Sequence, residues 1–176
     1  DTFNSLVLRA VFNQTWLHWT GSQREIGQYI NDSWVKDMYR KMGHLSAHNR
    51  FVHLYLNGMY WGLYNLSERM DKVFASDYLE GEEEAFDIIK DFAEVADGDL
   101  QSWSEMMQLA QDPDNFFLIQ GKDEQGTLHP ALTPYLDMEN LIDYMLLNFY
   151  IGNQDWDHHN WVAIRTRVEP DKGFQF

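Results

Sequence analysis

No cysteine occurs among the 176 residues, which excludes disulfides, thiolate nucleophiles and cysteine-ligated zinc. That absence suits a reduced cytosol and many exported bacterial proteins alike. Basic residues are scarce, with 13 Lys and Arg against 28 Asp and Glu and a net charge of −15. Such a field repels polyanions, so neither nucleic acid nor an anionic membrane surface is expected as a partner. A bound nucleotide would need metal ions and local basic groups to neutralise its phosphates. No apolar run reaches the roughly 20 residues that span a bilayer, and membrane insertion of this segment is not expected. The longest apolar stretch, 141–151, is interrupted by Asp143 and Asn148 and reads as a buried helix. Also missing are a serine nucleophile elbow, both common phosphate-binding glycine loops and an HExxH pair. Residues 1–10 lack the basic start and apolar core of a signal peptide. The chain does not begin with Met, so an excised piece is expected, with any export signal upstream of it.

What is present is ample core material: 44% of residues are hydrophobic and 15% aromatic. A chain of this length forms one domain, or two small lobes, and buries roughly 70% of its unfolded surface. Residues 3–12 are rich in branched and aromatic side chains and predict a strand. Over 23–42, Ile26, Ile30, Trp34, Val35, Met38 and Met42 recur at helical spacing, with Gly43 as a stop. Residues 50–66 switch to a strand pattern interrupted by Asn57-Gly58, the pair that accepts positive φ at both positions of a tight hairpin turn. A short helix over 71–79, an acidic turn at 80–84, a strand over 86–90 and a helix over 99–110 follow. Residues 111–134 read as an irregular connection. Asp137 caps a helix over 137–151, on which Leu141, Tyr144, Met145, Asn148 and Phe149 share a face. Strands are expected over 161–168 and from Phe174 onward.

The polar loop after that helix, Gly152-Asn153-Gln154-Asp155-Trp156-Asp157-His158-His159-Asn160-Trp161, concentrates the chemistry of the chain. Asp155 and Asn160 stand five positions apart. Protein kinases need that pairing, an aspartate to accept the nucleophile's proton and an asparagine to hold magnesium. Alone the spacing is a weak signal, and Asp and Asn side chains also cap local backbone groups. The order of elements strengthens it: helix, hairpin, a hinge candidate at 67–71, then a helix feeding the polar loop and a strand pair.

Two segments resemble the CotH (spore coat protein H) family. Residues 53–71, HLYLNGMYWGLYNLSERMD, look like its Asn-Gly hairpin followed by Glu-Arg, and residues 152–161, GNQDWDHHNW, look like its Asn-x-Asp-Trp…Asn loop. The start LVLRAVFNQTW and the stretch ADGDLQSW are similar to larger extracytoplasmic bacterial members. The resemblance implies an α+β, atypical protein-kinase-like fold, here partial, with 1–66 as an N-lobe-like part and 72–176 as a helical lobe. It further implies transfer of phosphate from ATP to protein hydroxyls, with Mg2+ or Mn2+, by an exported, cell-surface or envelope protein. By position, Asp155 resembles the catalytic aspartate and Asn160 the metal-binding asparagine, while Glu68 is given a nucleotide-pocket or hinge role. A salt bridge or cap organising the turn is the other reading of Glu68. Asp157 stands where the usual kinase loop has Lys. The resemblance places the phosphate-gripping basic residue upstream of Asp1 and a second metal-binding aspartate beyond Phe176, so the site in this stretch is expected to be incomplete. The alternative function is a non-catalytic interaction or adhesion module on the same fold.

Other readings of these residues fare worse. A calcium loop starting at Asp155 would need glycine at Asn160 and glutamate at Thr166. His158 and His159 are neighbours on an extended segment and are expected to point apart, one to solvent and one against Trp161. His44, His48 and His53 read as surface or partly buried. The aromatic cluster Tyr55, Tyr60, Trp61 and Tyr64 reads as core rather than a sugar platform. Sequons at Asn13, Asn31 and Asn65 matter only where the source glycosylates.

Overall fold

Asn57 and Gly58 take φ of 49° and 81°, the double left-handed turn that the Asn-Gly pair predicted. In this computed structural model, which describes residues 5–11 and 15–176, the turn joins β2 (Asn49–Leu56) to β3 (Met59–Glu68). A register shift between Leu54 and Tyr55 bends the pair. Strand β1 (Leu6–Arg9) pairs antiparallel with the other edge of β3, giving the order β1-β3-β2. The ends of the expected 3–12 strand and the Asn13 sequon lie outside the described residues. Asn65 is buried inside β3, which rules out that sequon in the folded chain.

The periodicity over 23–42 is divided between two helices, α1 (Gly21–Ile26) and α2 (Asn31–Lys41). The break follows from two residues. Gly27 adopts an extended backbone and Tyr29 a φ of 64°, with the Tyr29 hydroxyl donating to the Leu63 carbonyl. One long-range bond and a left-handed residue thus outweigh local helical preference. The hairpin aromatics are also not core: Tyr55, Tyr60 and Trp61 are each more than half exposed.

The chain divides into two compact units, Asp1–Arg69 and Met70–Phe176. Of the 67–71 segment, Ser67 and Glu68 continue β3, and Asp71 caps α3 (Lys72–Tyr78) by accepting from Phe74 N.

In the second unit β4 (Phe86–Lys90) lies between β5 (Glu94–Asp97) and β6 (Val162–Thr166), antiparallel to both. As the central strand, β4 buries Phe86, Asp87, Ile88 and Ile89 in succession. β5 was not foreseen; its sequence, EVAD, has no strand pattern of its own, and Phe92 and Ala93 turn the chain into it with φ of 48° and 62°. Ile89, Met106, Ile119, Ala163 and Phe174 form the core, ringed by Trp103, Trp161 and Tyr135. Each such large apolar side chain contributes about 1.5–3 kcal/mol by leaving water. Met106 and Trp103 come from α4 (Gln101–Leu109). The 111–134 connection is better ordered than expected, with a 3-10 turn at Pro113–Phe116 and bridges Gln120↔Pro134 and Lys122↔Leu128.

Asp137 caps α5 (Met138–Tyr150) as predicted, accepting from Asn140 N at 3.1 Å. Of the expected face of α5, Asn148 is buried and Leu141, Tyr144 and Met145 are half-buried, but Phe149 is exposed; Asn140 and Leu147 are buried as well, while Ile142, Leu146 and Tyr150 are exposed. Phe174 and Gln175 form single bridges to Leu136 and Ile164 rather than a strand. The architecture is α+β, with two small antiparallel sheets. Among the described residues no helix is long and apolar enough to cross a membrane.

Candidate functional site

The polar loop is launched from α5 by amides. Gly152, at φ 63°, ends the helix, and Asn153 then binds the buried Asn148 twice, N to O at 3.0 Å and Nδ2 to Oδ1 at 2.8 Å. Asn153 Oδ1 in turn accepts from Asp155 N at 3.0 Å. Trp156 ties the loop back to α5, its ring set edge-on against Tyr144 and Phe149.

Asp157 and Asn160 both take left-handed backbone, φ 73° and 62°, and turn the chain back on itself. That reversal brings the ends of the five-residue interval together. Asn160 Nδ2 donates to Asp155 O at 2.8 Å and to Asp155 Oδ2 at 3.1 Å. His159 Nε2 lies 2.9 Å from Asp155 Oδ1. The Asp155 side chain is 71% exposed, so a polar, water-accessible carboxylate sits beside an amide. With Nδ2 turned to Asp155, the Asn160 Oδ1 is left to face other partners.

The same turn overturns half of the expectation for the histidines: His158 faces solvent as expected, but His159 does not pack on Trp161. The segment is not extended, and the two imidazoles lie 4.0 Å apart between centroids. His159 stacks on Phe92 rather than on Trp161 (6.2 Å, 3° between planes), and Trp161 stacks on Trp103 instead. His158 is exposed and pairs with Asp157; the hydrogen bond to that carboxylate, aided by its charge, raises the His158 pKa.

The β4–β5 turn braces the loop from outside. Asp91 Oδ1 accepts from Trp161 N at 3.3 Å, and Phe92 N donates to His158 O at 3.4 Å. Sequence reasoning missed this contact because it joins residues about seventy positions apart with no shared pattern.

As for a metal, no three His, Cys, Asp or Glu residues gather for one among the described residues. The donors present, one carboxylate and one amide oxygen, suit magnesium, which keeps several waters and takes substrate phosphates as its remaining ligands. They do not form a cage that would hold an ion unaided.

Glu68, in the first unit, is engaged locally. Its Oε2 accepts from His48 N at 2.7 Å and approaches His48 Nδ1 at 3.1 Å, and its side chain is largely buried. A second feature of that unit went unread in the sequence. Arg9 of β1 and Lys36 of α2 each reach Asp32 Oδ2 at 2.9 Å, and Lys36 also donates to Ser67 Oγ. Two cations thus share one carboxylate, a local positive excess in a strongly acidic chain. Burial lowers the Lys36 pKa, with the Asp32 charge opposing it. The i,i+4 spacing of Asp32 and Lys36 was visible; their meeting with Arg9 across the sheet was not.

The family model described as CotH kinase protein matches residues 11–172, nearly the whole chain. The chain belongs to the CotH kinase protein family. A search of curated proteins gave no match. In this CotH member the matched span includes both the Asp155 loop and the Glu68 strand. Asp155 and Asn160, paired from sequence by spacing, element order and the family motif, meet directly, whereas Glu68 lies in the other unit, bound to His48.

Proposed function

We propose that this CotH protein transfers the γ-phosphoryl group of ATP to a hydroxyl of a protein substrate, with a divalent metal, magnesium or manganese. The observation that carries the reading is the contact between Asn160 Nδ2 and the exposed Asp155 carboxylate at 3.1 Å. On this reading the braced turn would hold a proton acceptor beside a metal-directed amide oxygen. In the reaction, the substrate oxygen bonds to the γ-phosphorus, its proton passes to Asp155, the bond to the β-phosphate oxygen breaks, and ADP leaves. Each Asp155 oxygen makes one hydrogen bond in the resting loop and keeps a lone pair for that proton. The metal would be held by Asn160 Oδ1, with Asp155 within reach, and would neutralise phosphate charge.

A kinase-like N-lobe is supported by the first unit: a strand bearing a cation, then a helix bearing its carboxylate partner, then a hairpin whose second strand lies between. Glu68, at the end of β3 just before the unit boundary, keeps its proposed nucleotide-pocket or hinge role, with His48 as the partner it would hold. The lobe limits (1–66, 67–71, 72–176) and an exported or envelope location belong to the same proposal. The exposed hairpin aromatics favour the second reading, an interaction or adhesion module that keeps the fold without the chemistry.

Transfer of label from [γ-32P]ATP by the intact protein decides between them. Incorporation should fall on the order of 10²–10⁴-fold in Asp155→Ala. Equal incorporation by both proteins removes Asp155 from the mechanism, and none by either leaves the interaction module.

A further inference from the structure

Asp155 has a second partner whose role the phosphotransfer reading does not use. A carboxylate only accepts, so in the 2.9 Å contact to Asp155 Oδ1 the proton belongs to His159 Nε2. The other ring nitrogen, Nδ1, is buried with no partner among the described residues. An orphaned buried polar atom is costly, so this ring is placed at some expense to stability.

What holds the ring is also strained. Phe92, the residue under His159, and its neighbour Ala93 both have positive φ, a conformation unfavourable for a bulky side chain. Phe92 is 78% exposed, so burial does not account for its position. The same turn contributes the Asp91 and Phe92 backbone contacts to the loop. Strain of this kind, retained beside a candidate site, is the situation in which a functional constraint is the economical explanation.

We propose that His159 is a positioning residue for Asp155, and that the β4–β5 turn, through Phe92, is the brace that orients its ring. The assignment rests on the phosphotransfer reading and deepens it. His159 donates to Oδ1 and Asn160 to Oδ2, so two donors on separate oxygens fix the plane of the carboxylate. A carboxylate free to rotate would face the substrate hydroxyl for only part of the time, and lost orientation of this sort lowers kcat rather than ground-state affinity. The competing explanation is that His159 packs on Phe92 and the carboxylate contact is incidental.

Two measurements separate these. In a long-range 1H–15N spectrum of the chain, His159 should show a fixed Nε2–H tautomer, replaced by an average of tautomers in Asp155→Ala. An averaged ring in the unaltered chain overturns the clamp, whatever the protein's activity. In the phosphate-transfer assay on the intact protein, His159→Phe keeps an aromatic ring on Phe92 and removes the donor, whereas His159→Gln restores an N–H. The expected result is a kcat lowered roughly 10–100-fold in His159→Phe, with KM for ATP nearly unchanged, a thermal midpoint no lower than the parent's and most of the loss recovered in His159→Gln. Full kcat in His159→Phe overturns the positioning role. A fixed tautomer in a protein inert towards ATP leaves the clamp standing and removes phosphotransfer instead. Should His159→Phe fail to fold, Phe92→Leu takes its place: a lowered kcat and an averaged tautomer support the brace, and wild-type behaviour in both overturns it.

Discussion

Asn148 grips Asn153 by both backbone and side chain, at 3.0 and 2.8 Å, across the end of α5. The pair transmits the rigidity of a helix to a loop that would otherwise leave it at a glycine. Asn148→Leu, similar in size and unable to bond, should leave Asn153 Nδ2 without its partner. A loss of about 1–3 kcal/mol is expected in urea unfolding. Phosphate transfer should fall further than that loss alone would explain, because the loop is released before the fold is.

Metal dependence should be visible at one residue. Chelation by EDTA should stop phosphate transfer in the unaltered protein, and added magnesium should restore it. Asn160→Ala should need a much higher magnesium concentration for half-maximal rate, because an ion left with phosphate and water loses its one proposed amide ligand. An unchanged magnesium curve would take Asn160 out of metal binding.

Arg9 should add little to folding. Its ion pair with Asp32 is half exposed, and such pairs are worth about 0–1 kcal/mol. Arg9→Gln should therefore melt close to the parent. A midpoint lowered by many degrees would show that the shared Asp32 contact carries more of the first unit's stability than an exposed pair can.

Asp87 should make the protein less stable as pH rises. Desolvation, the largest effect, raises its pKa, against the opposing pull of Asp99 N and Arg167, and Oδ2 has no hydrogen-bond partner among the described residues. A carboxyl with a raised folded-state pKa contributes fully below its unfolded pKa, and that contribution is lost as pH climbs through the folded value. In melts from about pH 4 to about pH 7, the thermal midpoint of Asp87→Asn should gain on the parent as pH rises. A constant gap between the two would show that Asp87 titrates as it does in the unfolded chain.

Much of this was readable in the residues because it is local chemistry. Asn57-Gly58 sets a hairpin by what its backbone tolerates, Asp71 and Asp137 cap helices within three residues, and Phe86, Ile88 and Ile89 mark a buried strand. The family was legible through two motifs, and the Asp155–Asn160 pairing through a spacing. What stayed hidden depends on contacts between distant segments. Tyr29 breaks a helix for a bond to Leu63, Phe92 reaches His159 from another turn, and Arg9 finds Asp32 across a sheet. The hairpin aromatics were misjudged because alternation tells which residues share a face, not whether anything covers it.

Asn160 meets two demands at one position: a backbone at φ 62°, which asparagine accepts more readily than most residues, and an amide for Asp155. Glycine would meet the first demand and fail the second. On the proposed reading, a single Asn-to-Gly change there would stop phosphate transfer while leaving a chain that folds and melts almost as its parent does. An intact fold would then say nothing of transfer, and the side chain at position 160 would.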